Sequence, residues 1–501
     1  FTGKGTAGGV GAFGTKGQVM GYYDGNTVTA LWHYAQHFAM SDNAWTDTYG
    51  PSTPGALEVV AGQTNGVKLV VTAQKPSTLE KVSFYIDDGQ GGITDINDED
   101  PGADVCSKPK EQMMMTGKNI GDLLNAARIS WGGFMGGFDL SKTNANGTTG
   151  CLRSTHSPVL GSNVVDYIAH HNWFQYYAST ANPTHARPSS VAAIGYSLEH
   201  DGKTPDPANH EYSLADFYAA VKAGNFPSVV YLKLPAYQDG HAGYSDPLDE
   251  QNGTVAVINF LQQQADWKNT AVLVTWDDSD GWYDHAFVKP TAASFDGQAD
   301  QLDGPGKCGT GTAPAGLDGK PVNGRCGPGT RIPFLLVSPW AKRNFVSHTP
   351  ISQASIVRFI EDNWRHGKRL GGGSFDAGSG AIRDWCEVHG SRRTAALYLD
   401  PAAGIERFIH AVSRAQRIAH RHPIMINHAR NQSGNRGAHR DERIAGDADR
   451  RAFSSVTGIG SPFQPRPGIG SLGVDRSLQY GSAGSDASRG LGHRDGVAKN
   501  S

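Results

Sequence analysis

Thr270-Ala271-Val272-Leu273-Val274-Thr275-Trp276-Asp277-Asp278-Ser279-Asp280-Gly281-Trp282-Tyr283-Asp284-His285 turns within one residue from a continuous apolar run into a cluster of acids. A run of seven residues with no polar alternation reads as a strand buried on both faces. The pattern before it, residues 249–266, is helical, and the same order recurs upstream, where a helical pattern over 214–223 leads into an apolar strand over 228–234. Downstream the order reverses, with a strand over 332–337 and a helix over 352–364. Apolar strands separated by amphipathic helices predict an α/β sandwich, a mostly parallel central sheet covered by helices on both faces.

Upstream, the apolar positions of residues 26–40 recur at helical spacing and stop at Ser41-Asp42-Asn43. Tyr49-Gly50-Pro51-Ser52-Thr53-Pro54-Gly55 follows, then a short helical segment, 56–61. Gly50 and Pro51 break the incoming chain, and Pro54 is tolerated in a first helical turn because its missing N–H would be unpaired there. Ser52 is thereby expected at or next to a helix N-cap. Residues 67–73 and 82–88 read as strands, and the Gly-, Asp- and Asn-rich sequence from there to 160, broken by a helix over 119–129, reads as a loop-rich insertion over the core. Within it Asp95-Ile96-Asn97-Asp98-Glu99-Asp100 begins like a calcium loop but lacks the Gly and closing Glu of an EF-hand, so a solvated turn is expected.

The net charge of −3 over 501 residues gives no basic surplus for nucleic acid, and no window reaches the length of apolar sequence an integral membrane span needs. None of the five cysteines forms a C-x-x-C pair. Cys106 with Cys151 and Cys308 with Cys326 flank polar loops, and could close two local disulfides or stay as thiols; disulfides would place the protein in the periplasm or outside the cell. The sequence opens on Phe1-Thr2-Gly3, which is neither an initiator Met nor a signal peptide. Residues 1–377 hold 18 Lys and 9 Arg, whereas 378–501 hold 1 Lys and 17 Arg. The chain therefore divides into a catalytic core, 1–377, and an Arg-, Gly- and His-rich tail, 378–501, expected to be disordered or a product of a shifted reading frame.

In an open α/β sheet ligands gather beyond the carboxyl ends of the strands, where Asp277 and Asp278 stand and where two adjacent carboxylates repel unless a cation lies between them. The segment Pro235-Ala236-Tyr237-Gln238-Asp239-Gly240-His241 leaves the strand 228–234 at the same edge. His170 and His171 stand side by side in an aromatic segment. Histidines there can hold a phosphoryl oxygen, bind a metal or protonate a leaving group, and His285 is a further candidate. A hydroxyl at Ser52 would face the positive end of a helix dipole, which favours a bound phosphate and a developing alkoxide.

Met20-Gly21-Tyr22-Tyr23-Asp24, His37 to Asn43, the Gly50 to Gly55 loop, Tyr177-Ala178-Ser179-Thr180-Ala181-Asn182-Pro183, Tyr237 to Gln251 and Trp276 to His285 together resemble the bacterial phosphoesterase family of phospholipases C and respiratory-burst-inhibiting acid phosphatases. The resemblance covers residues 17–377 and is nearer the acid phosphatase branch. It implies an alkaline-phosphatase-like α/β/α core, one divalent metal ion, and hydrolysis of a phosphate ester or phospholipid through a phosphoserine. It also implies Ser52 as nucleophile and metal ligand, Asp277 and Asp278 as metal ligands, and His170, His171 and His241 as pocket histidines. The family's upstream Glu-Asn motif, which completes the metal site, has no equivalent before Ser52. An inert fragment or binding module therefore stands beside the two enzyme readings.

Overall fold

The computed structural model describes residues 21–407 apart from 27, 71–84, 110–111, 200, 242–243, 280 and 388–392. Its centre is mixed α/β, with several of the strands parallel. Three parallel strands, Glu211–Ser213, Trp131–Met135 and Val229–Lys233, form one sheet with Trp131–Met135 in the middle. A second sheet orders Val272–Thr275, Phe334–Val337, Ala39–Ser41 and Phe345–Ser347, antiparallel at its first two pairings and parallel at the last. Phe334–Val337 is paired on both sides and all four residues are buried, which is why its sequence is unbroken Phe-Leu-Leu-Val.

The single, mostly parallel sheet expected from the sequence is therefore divided. Val229–Lys233 and Val272–Thr275 do not pair with each other, and a cavity of about 1220 Å³ runs between their edges. Both strands deliver their carboxyl ends to one place, where Lys233 meets Asp277.

The strand Trp131–Met135 corrects the sequence reading, which placed it in an insertion. Its Gly132-Gly133 hides the strand signal, and the packing needs both glycines. A Cβ on Gly132 would lie 2.8 Å from the Tyr212 ring and one on Gly133 2.6 Å from the Glu211 carboxylate.

The helices follow their caps. Leu214–Lys222 starts at Ser213, whose hydroxyl accepts from the Asp216 N–H while the Asp216 carboxylate accepts from the Ser213 N–H. Ile120–Ala127 has the same reciprocal arrangement between Asn119 and Asp122. Pro247–Gln262 begins two residues before the expected 249, because Asp246 caps it and Pro247 fits the first turn. The first helix, Thr29–His37, ends earlier than the pattern over 26–40 suggested; its last apolar residues pass into Ala39–Ser41, which the sheet claims. Of the strands expected over 67–73 and 82–88, Val67–Leu69 and Tyr85–Asp87 form; Val70 and Asp88 lie outside them, and 71–84 fall outside the described residues.

Cys106–Cys151 and Cys308–Cys326 are disulfides and Cys386 is a free thiol. Packing does not stop at 377: Ile382, Trp385, Leu397 and Leu399 belong to the main buried cluster, and Leu397 exchanges hydrogen bonds with the Gln262 side chain at 2.7 and 2.8 Å. The remainder of the predicted tail, from 408, lies outside the described residues.

Candidate functional site

Ser52 is the first residue of the helix Ser52–Ala61, immediately after Pro51. Every residue of this ten-residue helix is buried, so its sequence is small or apolar around most of its circumference. Both ends are tied down. At the start, the Thr53 N–H, one of the donors a helix leaves unpaired, goes to Asp98 Oδ1 at 3.0 Å. At the end, Gly62 takes a left-handed conformation (φ 60°) and its carbonyl accepts from the buried Arg325 Nη2 at 2.7 Å, a cation placed at the negative end of the helix.

The strand Val272–Thr275 brings Asp277 and Asp278 to this helix. A Cβ on Gly55 would lie 1.9 Å from the Asp277 carbonyl oxygen, so the Pro-Gly of the loop lets the strand end sit directly on the first helical turn. The Ser52 hydroxyl donates to Asp278 Oδ2 at 2.8 Å across 226 residues of sequence.

Asp277 is engaged differently. Its Oδ2 accepts from Lys233 Nζ at 2.5 Å, with 13% and 18% of the two side chains exposed. Burial works to raise the Asp277 carboxyl, but the Lys233 ammonium outweighs it and holds the group below the usual carboxylate range.

The histidines are positioned by carboxylates. His170 Nδ1 lies 3.3 Å from Asp100 and His171 Nδ1 3.3 Å from Asp239, and the two rings are edge to face with centroids 4.6 Å apart. Burial, then the Lys233 charge, pushes the His171 imidazole well below its ordinary value, so it is neutral. Asp239 also accepts from the His241 backbone N–H at 3.1 Å and from the Tyr244 hydroxyl at 3.0 Å, while the Tyr244 ring stacks on His241. His241 is exposed by surface area, yet enough protein surrounds it that burial lowers its proton affinity against the pull of Asp239 and Asp277. The Tyr176 hydroxyl joins the two halves, within reach of Thr53 Oγ1 at 3.2 Å and donating to the His170 carbonyl at 3.1 Å. His285 stands elsewhere: it is exposed and packs edge-on against Tyr22.

The segment 95–100 corrects the expectation of a solvated turn. Asp95, Glu99 and Asp100 are 1%, 0% and 2% exposed, and the segment forms the wall that carries Asp98 and Asp100 to the site. Lys233 and Asp239 were not singled out from the sequence. Each stands at or just past the end of the strand 229–233, the position from which His241 was inferred, and the same edge rule could have found both.

The implied metal set, Ser52 with Asp277 and Asp278, does not fit an ion as the side chains stand, because an ammonium is already on Asp277. Among the described residues, one group of acids, cysteine and histidine converges tightly enough for a cation, Asp104, Cys106 and His185. That group does not fit either. The Cys106 sulfur is in a disulfide, and the Asp104 carboxylate already accepts from Tyr167, Gln175 and His185.

The model of the Phosphoesterase family matches residues 5–366, well over half of the chain. The chain belongs to the phosphoesterase family. Among its relatives, this phosphoesterase is 32% identical over 151 residues to a non-hemolytic phospholipase C of Pseudomonas aeruginosa, which covers 29% of the chain and 21% of that protein. It is 28% identical over 149 residues to phospholipase C A of Mycobacterium tuberculosis, 29% of the chain and 26% of that protein. A third relative is non-specific phospholipase C3 of Arabidopsis thaliana, 29% identical over 150 residues, or 28% and 25% of the two chains. The phosphoesterase thus spans about a quarter or less of the length of these curated relatives.

Proposed function

We propose that this chain hydrolyses phosphoric esters with Ser52 as the nucleophile, most directly as a phosphomonoesterase of the acid phosphatase type. The observation that carries the reading is the 2.8 Å hydrogen bond from the Ser52 hydroxyl to Asp278, at the amino end of a buried helix. A serine needs a base to take its proton and positive potential where charge develops on the phosphoryl oxygens. In this reading Asp278, which accepts from the Ser52 hydroxyl, acts as the base, and the helix amino end with the Lys233 ammonium supplies the potential.

Ser52 Oγ attacks phosphorus, its proton passing to Asp278. The Oγ–P bond forms as the bond to the leaving alkoxide breaks, and that oxygen takes a proton from a pocket histidine or water. His241, accessible and close to Lys233 and Asp239, is the histidine suited to this. Water then attacks the phosphoserine, its surplus proton returning to the group that protonated the leaving oxygen, while Asp278 gives its proton back to Ser52 Oγ as the O–P bond breaks and phosphate leaves. His170 and the neutral His171 orient the phosphoryl oxygens. Ser52→Ala should lower turnover of p-nitrophenyl phosphate by about a thousandfold or more while leaving the circular dichroism spectrum and melting temperature unchanged. Substantial residual turnover would refute the assignment.

Phospholipase C activity is the second reading, favoured by the names of the relatives. The rates on p-nitrophenyl phosphate and on a phosphorylcholine ester separate the two: a monoesterase strongly prefers the first. The two disulfides support a periplasmic or secreted location. Among the described residues no helix is long and apolar enough to cross a membrane.

A further inference from the structure

Lys233 closes the strand Val229–Lys233, and its ammonium stands at the point toward which the acids of this site converge. It is 2.5 Å from Asp277 Oδ2, and the fields of Asp239 and Asp278 act on it as well. The Lys233 side chain is 13% exposed and that of Asp277 18%, so the contact is largely shielded from water. The adjacent Asp278 is occupied by the Ser52 hydroxyl. Both carboxylates of the pair therefore have partners from the protein itself, and the one that would otherwise need a mobile cation has a tethered one.

We propose that Lys233 is the built-in cation of this site: its ammonium holds the place beside Asp277 that a divalent ion would take, and such an ion must displace it to bind. This rests on the reading of Ser52, Asp277 and Asp278 as one phosphoryl-transfer site, but it predicts a binding property that needs no turnover. A competitor held on a covalent arm weakens a ligand for the same carboxylate, and removing it restores the carboxylate's full attraction for an ion.

The test is a calorimetric titration of the full chain with Mn²⁺ alone. Lys233→Met, which keeps the length of the side chain and removes the charge, should bind Mn²⁺ about tenfold or more tightly than the wild type. Lys233→Arg should stay as weak as the wild type, and the gain should vanish in the Lys233→Met, Asp277→Asn double variant. Equal or weaker binding by Lys233→Met overturns the proposal. Should that variant fail to fold, the wild type decides: adding Ca²⁺ until binding saturates must shift the Lys233 ¹⁵Nζ resonance, and an unmoved resonance at saturation overturns it. Substantial activity in Ser52→Ala would remove the hydrolase reading and leave these titrations intact, so the two failures are distinguishable.

Discussion

Gly55 shows how much one side chain decides. The Asp277 carbonyl lies where its Cβ would be, so Gly55→Ala must separate the strand end from the helix that carries Ser52. The expected cost is about 1–3 kcal/mol in urea unfolding, together with a larger loss of hydrolysis than the stability change explains. Retained activity would mean that the close approach is not needed. His210 supplies a separate prediction at the same scale. Its ring stacks on Trp131 with centroids 4.3 Å apart, and Nδ1 lies 2.9 Å from the Trp131 carbonyl oxygen. Burial drives its pKa down to about 4, below the ordinary value near 6.5. A base whose folded pKa is depressed leaves the unfolded chain binding more protons between those two values. Its contribution is therefore complete above pH 6.5 and is lost as pH falls toward 4, by about 3 kcal/mol. His210→Asn, compatible with the residue's left-handed backbone (φ 71°), should flatten the acid side of the stability curve relative to the wild type. Parallel curves would show that His210 is not the group responsible. Ser52 and the acid pair were legible in the sequence because turn residues and a strand end mark them locally. Lys233 carried no such mark, since a lysine ending a strand is ordinary until Asp277 is seen beside it.

The helix Ser52–Ala61 is the element on which the site depends. Arg325 ties it to two distant loops, donating to the Gly62, Ala315 and Gly373 carbonyls at 2.7, 2.7 and 2.8 Å, and its Nη2 lies 3.8 Å from the Glu58 carboxylate. Burial raises the Glu58 carboxyl well above its usual range and Arg325 opposes it. Arg325→Ala leaves that acid and three carbonyls buried without their cation, and should cost about 3–5 kcal/mol by chemical denaturation. A loss under about 1 kcal/mol would show that the helix is held by its apolar packing alone. Arg325 lies one residue before Cys326, whose disulfide to Cys308 closes an 18-residue span. Replacing both cysteines by serine should cost about 2–4 kcal/mol and lower the melting temperature under non-reducing conditions. The helix itself was readable from Pro51, Pro54 and the apolar run after them. Its dependence on Arg325 was not, because the two lie 263 residues apart and nothing local in either segment signals the other.

For the whole molecule, packing continues past the composition change at 378. Trp385 and Leu399 are fully buried against the main cluster. A chain ending at 377 should therefore be much less stable than one ending at 407, by about the 3–5 kcal/mol that deleting a single buried Trp costs, or more, as read from their unfolding midpoints. Equal midpoints would place residues 378–407 outside the cooperative unit. By itself the sequence determined the local features: which segments are helices, where apolar strands end in acids, where a serine meets a helix start, and the family motifs that all of these compose. These are readable because periodicity, capping and turn chemistry act over a few residues. Only the tertiary structure decided that the sheet is divided, that Gly132-Gly133 is a central strand, that Asp95 to Asp100 forms a buried wall, and that an ammonium stands on Asp277. Each of those depends on which distant backbone or charge comes to lie alongside, and contacts between residues tens to hundreds of positions apart leave no periodic trace in the chain.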